Sequence, residues 1–549
     1  MKRMEDEAEA DEAETEGRTQ SPPKLQRRLT FTDGLCIVVG IIVGSGIFAS
    51  PGRALRDSLG SPGLVMLSWF FAMLLVLLTS QCYFELQGMF PTAGGDYDYI
   101  MRAYGARLAF AFAWFNFFIS KPGSQAIIAS VFGRYLDSVL TVYLPSFLGL
   151  SGGSSSSSSV YDGETPASKV YAVLLIASLT AVNCLGVRES TLAQRVLTLV
   201  KAVLVAALLL VSLAYAVHSP ATVRANLSPS SSFEALSGRG ALDCFFGSGS
   251  ALVACLWSFD GWADLGFMSE ELNSPHQLPS IVLLSVLATG AIYLLINCAY
   301  LAVLPVETVI GSRAVAVDLA VTIMAGNYYY SWLPCFFSLG VALSAAGSAN
   351  GSIMTGGRAF YAVARARDVP GIEALALVSA RGAPYNSLLA QGFWCTLLLC
   401  APGSNFSTLL DFFGPVSWVF YSLTSMAVVV LRLRDPHRFR PFRCRLYPLE
   451  PLAVVVVSSA VVVSALLKQP AFTIVAFAIV FAAFPAHALL RRCGAAVSEH
   501  CGDAEAAAGA TRAKTSDLED QAEPAGLQLG RAAYNPLTSK DADEDPFDR

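Results

Sequence analysis

The sequence predicts an all-α integral membrane protein with twelve transmembrane helices, and three observations carry that prediction. The chain of 549 residues is 54% hydrophobic and only 14% charged. Its mean hydropathy of +0.52 lies above what soluble domains of ordinary composition show. Apolar segments recur near 31–55, 63–84, 108–145, 169–187, 196–217, 242–268, 279–305, 331–356, 386–402, 409–431, 450–467 and 470–490. Most of them match the ~20 residues a helix needs to cross ~30 Å of hydrocarbon. Runs such as VLVAALLLVSLAYAV are apolar on all sides, whereas strands of a spanning β-barrel alternate apolar and polar residues.

The elements follow in order. Residues 1–29 are acidic and then basic at Lys24, Arg27 and Arg28; they contain no apolar core followed by a small-residue cleavage site, so they read as a soluble tail. Residues 30–217 hold spans one to five, 218–241 an outer loop, 242–431 spans six to ten, and 432–493 a loop followed by spans eleven and twelve. Residues 494–549, rich in Ala, Asp, Glu and Gly, read as a second, disordered tail. Loops sharing a side with the N-terminus are rich in arginine, as at Arg358, Arg365, Arg367 and Arg381 and again from Arg432 to Arg445, while the opposite loops are poorer. That bias predicts cytoplasmic termini; the plasma membrane is the expected location of this multi-pass protein. The outer loop carries the sequon Asn226-Leu227-Ser228, a candidate glycosylation site, and the serine run after span three reads as a flexible tether.

Composition also excludes. A net charge of −5 leaves no basic face for nucleic acid. Most of the twelve cysteines lie within apolar runs, where they behave as small hydrophobes, and the five histidines are scattered singly. No disulfide framework, metal site or cofactor is implied. An enzyme would need a nucleophile, a metal cluster or an acid pair at membrane depth; Glu270 and Glu271 are adjacent, so on a helix they point about 100° apart.

Two spans interrupt themselves. The first, VGIIVGSGIFASP at 39–51, places Gly40, Gly44, Ser45 and Gly46 inside an apolar run. Close helix packing explains such glycines about as well as a functional break does. The sixth, SALVACLWSFDGWADLGFMSEEL, is interrupted by Asp260, Gly261 and Asp264, and a carboxylate at membrane depth costs at least about 2.5 kcal/mol. Spans one and six each open a five-helix half, and interrupted segments in corresponding places point to an inverted-repeat transporter with a midplane site. Unwinding frees N–H groups that favour an anion and carbonyls that accept from an ammonium. A zwitterionic amino acid presents both charges on one carbon. Asp264, Glu270 and Glu271 approach the end of span six, where solvation is the default expectation.

At these residues the sequence resembles a known family. IIVGSGIFASP, GGDYDYIMRAYG at 94–105 and SEELNSPHQLP at 269–279 resemble the amino acid–polyamine–organocation superfamily. SKPGSQAIIASVFGRYL in span three, NCLGVRESTLAQ at 183–194, SRAVAVDLA at 312–320 and SAAGSANGSIMTGGRAFYAVARA in span eight are similar to its L-type amino acid transporter branch. The resemblance implies a LeuT-like fold: two inverted five-helix repeats plus two peripheral helices, moving by alternating access. It implies that Ser45, Gly46 and Ile47 offer amides to the substrate carboxylate, and that the carbonyls of Ile42, Trp257 and Asp260 receive its ammonium. Trp257 would be an aromatic gate, and Ser124, Ile128 and Ser417 would line the side-chain pocket.

Lys201, in span five, has two readings. Its ammonium snorkels toward the cytoplasmic surface, which Arg195 marks about 9 Å along the helix, or, as the resemblance implies, it takes the place of a sodium ion between spans one and eight. The second reading predicts sodium-independent transport, by exchange or by proton coupling. Two departures from the family matter. Heavy-chain-linked members carry a cysteine between spans three and four, and residues 143–168 contain none; no disulfide-linked heavy subunit is expected. Asp260 stands where L-type transporters have glycine, so its carboxylate either fixes the unwound backbone or pairs with a cationic substrate. The resulting expectation is a sodium-independent L-amino acid exchanger for neutral substrates, the alternatives being a proton-coupled or cationic amino acid transporter, or an amino acid sensor.

Overall fold

The computed structural model describes residues 27–144 and 165–492, apart from 313, 326–331, 367–368, 370, 380, 402–405 and 469. The serine run and nearly all of both tails lie outside the described residues. Everything described falls within one compact unit, apart from Arg492 at the next unit's edge.

Among the described residues, eleven helices are long and apolar enough to cross a membrane. Spans one to four are Phe31–Ala49, Pro62–Met89, Ala106–Tyr143 and Pro166–Leu185; spans five to eight are Val187–His218, Ala241–Ser258, Pro275–Val303 and Leu333–Arg365. Span ten is the helix Phe406–Arg434, and spans eleven and twelve are Leu449–Leu467 and Pro470–Arg492. The ninth expected span is the 16-residue helix Tyr385–Cys400. At about 24 Å it is shorter than the hydrocarbon core. Among the described residues there is no strand, only an isolated parallel bridge between Leu29 and Leu272.

Local sequence explains where the helices start. Thr30 caps span one, its hydroxyl accepting from the Asp33 amide while the Asp33 carboxylate takes the Thr30 amide at 3.0 Å. Ser61 and Thr165 cap spans two and four, each followed by proline at the first helical position, where the missing N–H has no partner to lose. Burial then sorts the spans. Span eight, with 78% of its most apolar stretch covered, is the centre of the bundle, whereas spans five and twelve, at 28%, face outward over most of their surface.

Polar side chains tie the centre together. Asn183 of span four donates to Asn350 of span eight at 2.9 Å, and Asn350 donates to Gln194 of span five at 2.8 Å. At the end of the bundle near residue 271, the fully buried Arg358 pairs with the fully buried Glu271 at 2.7 Å. The carbonyl of Glu271 in turn accepts the amides of Arg28 and Leu29, so the chain entering span one is stitched to the end of span six.

Candidate substrate cavity

Both expected breaks are present, and they interlock. Span one is helical to Ile42, is non-helical from Val43 to Ser45, and resumes at Gly46. Span six is helical to Ser258, turns through residues 259–263, and resumes as a tighter 3-10 helix over Asp264–Glu271. Gly46 packs so closely on span six that an added Cβ would lie 2.8 Å from the Ser258 Cα. Gly261 has φ of +97°, a left-handed conformation, and a Cβ there would strike the Ile41 side chain at 2.2 Å. Gly40 and Gly44 serve packing as well, against Gln194 and Ser348. The first glycine run therefore both packs closely and interrupts the helix.

One buried hydroxyl joins the breaks. Tyr293 Oη of span seven lies 2.6 Å from the Ile42 carbonyl and 2.8 Å from the Ser258 carbonyl. Unwound carbonyls left in a dry interior need such partners. Ser50 and Ser258 add a hydroxyl–hydroxyl contact of 2.7 Å across the same junction.

Lys201 is directed inward, not toward Arg195. Only 2% exposed, it donates to the Gly40 carbonyl and, at 3.0 Å, to Ser348 Oγ; Ser348 Oγ donates to the same carbonyl at 2.9 Å. The ammonium thus sits between spans one, five and eight, one turn before the first break. Arg195 is occupied separately, by Asp33. Snorkelling does not describe this lysine.

A cavity opens beside the breaks. Ile42, Ser45, Gly46, Ser124, Ile128, Trp257, Asp260 and Ser417, taken from four different spans, all line it. Ile47 is outside the lining, its side chain fully buried, although the expectation there concerned its amide. The Ile42 carbonyl accepts from the Tyr293 hydroxyl at 2.6 Å and from the Gly44 amide at 2.8 Å, and the Trp257 carbonyl accepts the Asp260 amide at 3.0 Å, so both lie at the breaks as backbone acceptors. Asp260 Oδ1 accepts from the Tyr421 hydroxyl at 2.8 Å, so its carboxylate ties the break of span six to span ten. Aromatic rings close part of the wall: Phe115 and Phe420 stack at 5.1 Å.

Sequence reasoning missed Lys121 and Asp96, which also line the cavity. Pro122 explains how Lys121 arrives there. A proline inside a helix forfeits a hydrogen bond and clashes with the carbonyl four residues earlier, Phe118. The helix responds with a π-turn over Asn116–Ser120, and the displaced Phe118 carbonyl accepts the Trp394 indole N–H at 2.9 Å. Lys121 follows that turn directly, and its Nζ meets Asp264 Oδ1 at 2.5 Å. Asp96 accepts the hydroxyls of Tyr83 and Thr424.

Three expectations are corrected by these contacts. Asp264 and Glu271 are not solvated: Asp264 is 7% exposed and ion-paired with Lys121, Glu271 is fully buried against Arg358, and Glu270 pairs with Arg365. The reason is that the resumed helix of span six runs along span eight instead of leaving the bundle. Asn226 is 6% exposed and donates to the Leu301 and Leu304 carbonyls at 2.8 Å each. Its amide is committed to packing a loop helix on span seven, so the folded chain does not present it to a glycosylating enzyme.

Membrane-length helices, two of them broken where they meet, around a cavity lined by polar groups from several spans, define a secondary transporter of LeuT-like fold. The crystal structure of MhsT in complex with L-phenylalanine has that fold in common, with a TM-score of 0.54 at 15% identity, covering 84% of this chain and 100% of that one. Residues 29–487 match the amino acid permease family, and the chain belongs to it. Among its relatives, the mouse b(0,+)-type amino acid transporter 1 is 30% identical over 468 residues, 84% of this chain and 87% of that protein. The human large neutral amino acids transporter small subunit 2 is 28% identical over 470 residues, 85% and 80% of the two chains.

Proposed function

We propose that this permease exchanges L-amino acids, neutral ones foremost, across the plasma membrane by alternating access and without sodium. On this reading the amides of Ser45, Gly46 and Ile47 bind the substrate carboxylate, and the carbonyls of Ile42, Trp257 and Asp260 take its ammonium. Trp257 covers the side chain, which enters the space beside Ser124, Ile128 and Ser417. The observation that carries the proposal is the Lys201 ammonium bound to the Gly40 carbonyl and Ser348. It supplies from the protein the positive charge that a sodium ion would bring to spans one and eight.

Uptake of labelled leucine, alanine, arginine and glutamate into proteoliposomes tests this, with and without internal amino acid, with and without sodium, and under imposed pH gradients. The expected result is leucine and alanine uptake that needs internal substrate and ignores sodium. Uptake into empty vesicles driven by an inward proton gradient would replace exchange with proton symport. Absolute dependence on sodium would remove the role assigned to Lys201.

Asp260 favours a second reading of the substrate class. Its carboxylate is part-exposed on the cavity wall, where a cationic side chain would meet it. Asp260→Asn abolishing arginine uptake while sparing leucine would support that reading. No covalent heavy subunit is proposed, because residues 143–168 contain no cysteine. Both termini are assigned to the cytoplasm on the arginine bias of the loops.

A further inference from the structure

The cavity contains a cation of its own. Lys121 and Asp264 both line it, each side chain about one-tenth exposed, and they are joined at 2.5 Å. Asp264 is engaged through both oxygens: the second accepts the Thr355 hydroxyl of span eight at 2.9 Å. The ammonium is held from another side by Phe267, whose ring centroid is 5.3 Å away. Two further carboxylates, Asp96 and Asp260, line the same cavity and lie within electrostatic range of the lysine. Both are bound by hydroxyls of span ten or span two, which do not cancel their charge.

From this arrangement we infer that the Lys121–Asp264 pair is the charge filter of the substrate cavity. It sets which side-chain charge the cavity accepts. With Lys121 in place, a basic side chain meets a like charge at short range inside a low-dielectric pocket, while an uncharged side chain disturbs neither partner. Removing the lysine leaves Asp264 uncompensated beside Asp96 and Asp260, so a basic side chain becomes the missing counter-charge. Removing the Asp264 charge instead releases the ammonium toward the cavity, where an acidic side chain would pair with it. The inference rests on the reading of the chain as an amino acid transporter and adds two residues to its site.

Four proteins test it: the wild type, Lys121→Met, Asp264→Asn and the double variant, each checked by size-exclusion chromatography and assayed in leucine-loaded proteoliposomes. The readouts are the ratios of arginine to leucine and of glutamate to leucine uptake. Lys121→Met should raise the arginine ratio about tenfold, the factor that about 1.4 kcal/mol represents. Asp264→Asn should lower the arginine ratio and raise the glutamate ratio. The double variant, with the pair's net charge again zero, should return both ratios to wild-type values. Asp264→Asn keeps the shape of the side chain and an acceptor for Thr355, so it carries the test where Lys121→Met is unstable. Ratios unchanged in variants that still move leucine would overturn the filter and leave the transport reading intact. A wild-type protein that moves none of the three amino acids would overturn the transport reading, and the filter with it.

Discussion

Gly46→Ala adds one methyl group at the point where the two broken spans touch, and its consequence is readable from the contact. The new Cβ would lie 2.8 Å from the Ser258 Cα and 3.0 Å from Ser258 Cβ and Oγ. Carbon atoms rest about 3.5–4.0 Å apart, so the spans must separate by roughly 1 Å. The nearest atom is backbone, which cannot rotate away as a side-chain tip can. Overpacking of this kind costs about 1–3 kcal/mol. If the cost falls on the substrate-binding geometry, affinity drops by about fivefold at the low end and over a hundredfold at the high end. The assay is leucine-dependent protection against thermal unfolding in detergent, read beside uptake in proteoliposomes. Gly249→Ala on span six is the control: nothing lies within 4 Å of a Cβ there, and alanine suits a helix interior better than glycine. Gly46→Ala with wild-type leucine affinity and uptake would refute the idea that the contact between the breaks shapes the site.

Three further outcomes are expected. Lys201→Met removes the charge bound to the Gly40 carbonyl and should abolish transport while leaving the fold, because an apolar side chain of similar length fits a buried lysine's place at little cost; full uptake by this variant would exclude the proposed sodium substitution. Arg358→Gln strands the Glu271 carboxylate in a fully buried position and should destabilise the protein by about 3–5 kcal/mol, measured by denaturation in detergent; a shift below about 1 kcal/mol would contradict the burial described. Asp96, on the loop helix Asp96–Tyr104, has its carboxyl pushed up to about 6, with burial the largest cause. The folded chain then holds this proton up to about pH 6 while the unfolded chain releases it near 4, so this group's contribution to stability falls as pH rises between those values, by roughly 3 kcal/mol in all. Comparison of melting temperatures at pH 5 and pH 7 should show about half of that loss in the wild type and a smaller one in Asp96→Asn; equal losses would remove Asp96 as the cause.

The sequence made the spans and their breaks legible for one physical reason: glycine and aspartate are conspicuous in a run that must otherwise be apolar. The residues named from those breaks, Ile47 apart, converge on one cavity. Lys121 carried a comparable signal, being the only charged residue between Arg107 and Arg134, but it sits in a stretch that reads first as a family signature. Its partner was not legible. Nothing in the spacing of Lys121, Asp264 and Thr355 says that three spans bring them together, and Asp96 meets Thr424 across 328 residues of chain. Asp264 and Asn226 misled for the opposite reason. Proximity to the end of an apolar run suggests solvent, and a three-residue sequon suggests accessibility, yet burial is decided by what packs over a residue.

Lys201 and Lys121 each stand beside one of the two breaks. Lys201 is bonded to the first half of span one, through the Gly40 carbonyl, and Lys121 to the second half of span six, through Asp264. Lys201 answers the carbonyl end of an interrupted helix and Lys121 a side-chain carboxylate where the other helix resumes. A tethered cation differs from a bound ion in what it does over a transport cycle. A sodium ion is taken up on one side and released on the other, so its gradient drives the substrate. A lysine that keeps its proton returns with the protein and contributes no gradient at all. On the proposed reading the charge requirement of the fold is met and the coupling to an ion is lost, which leaves the amino acid gradients themselves as the driving force. Exchange then follows if the empty cavity crosses the membrane slowly.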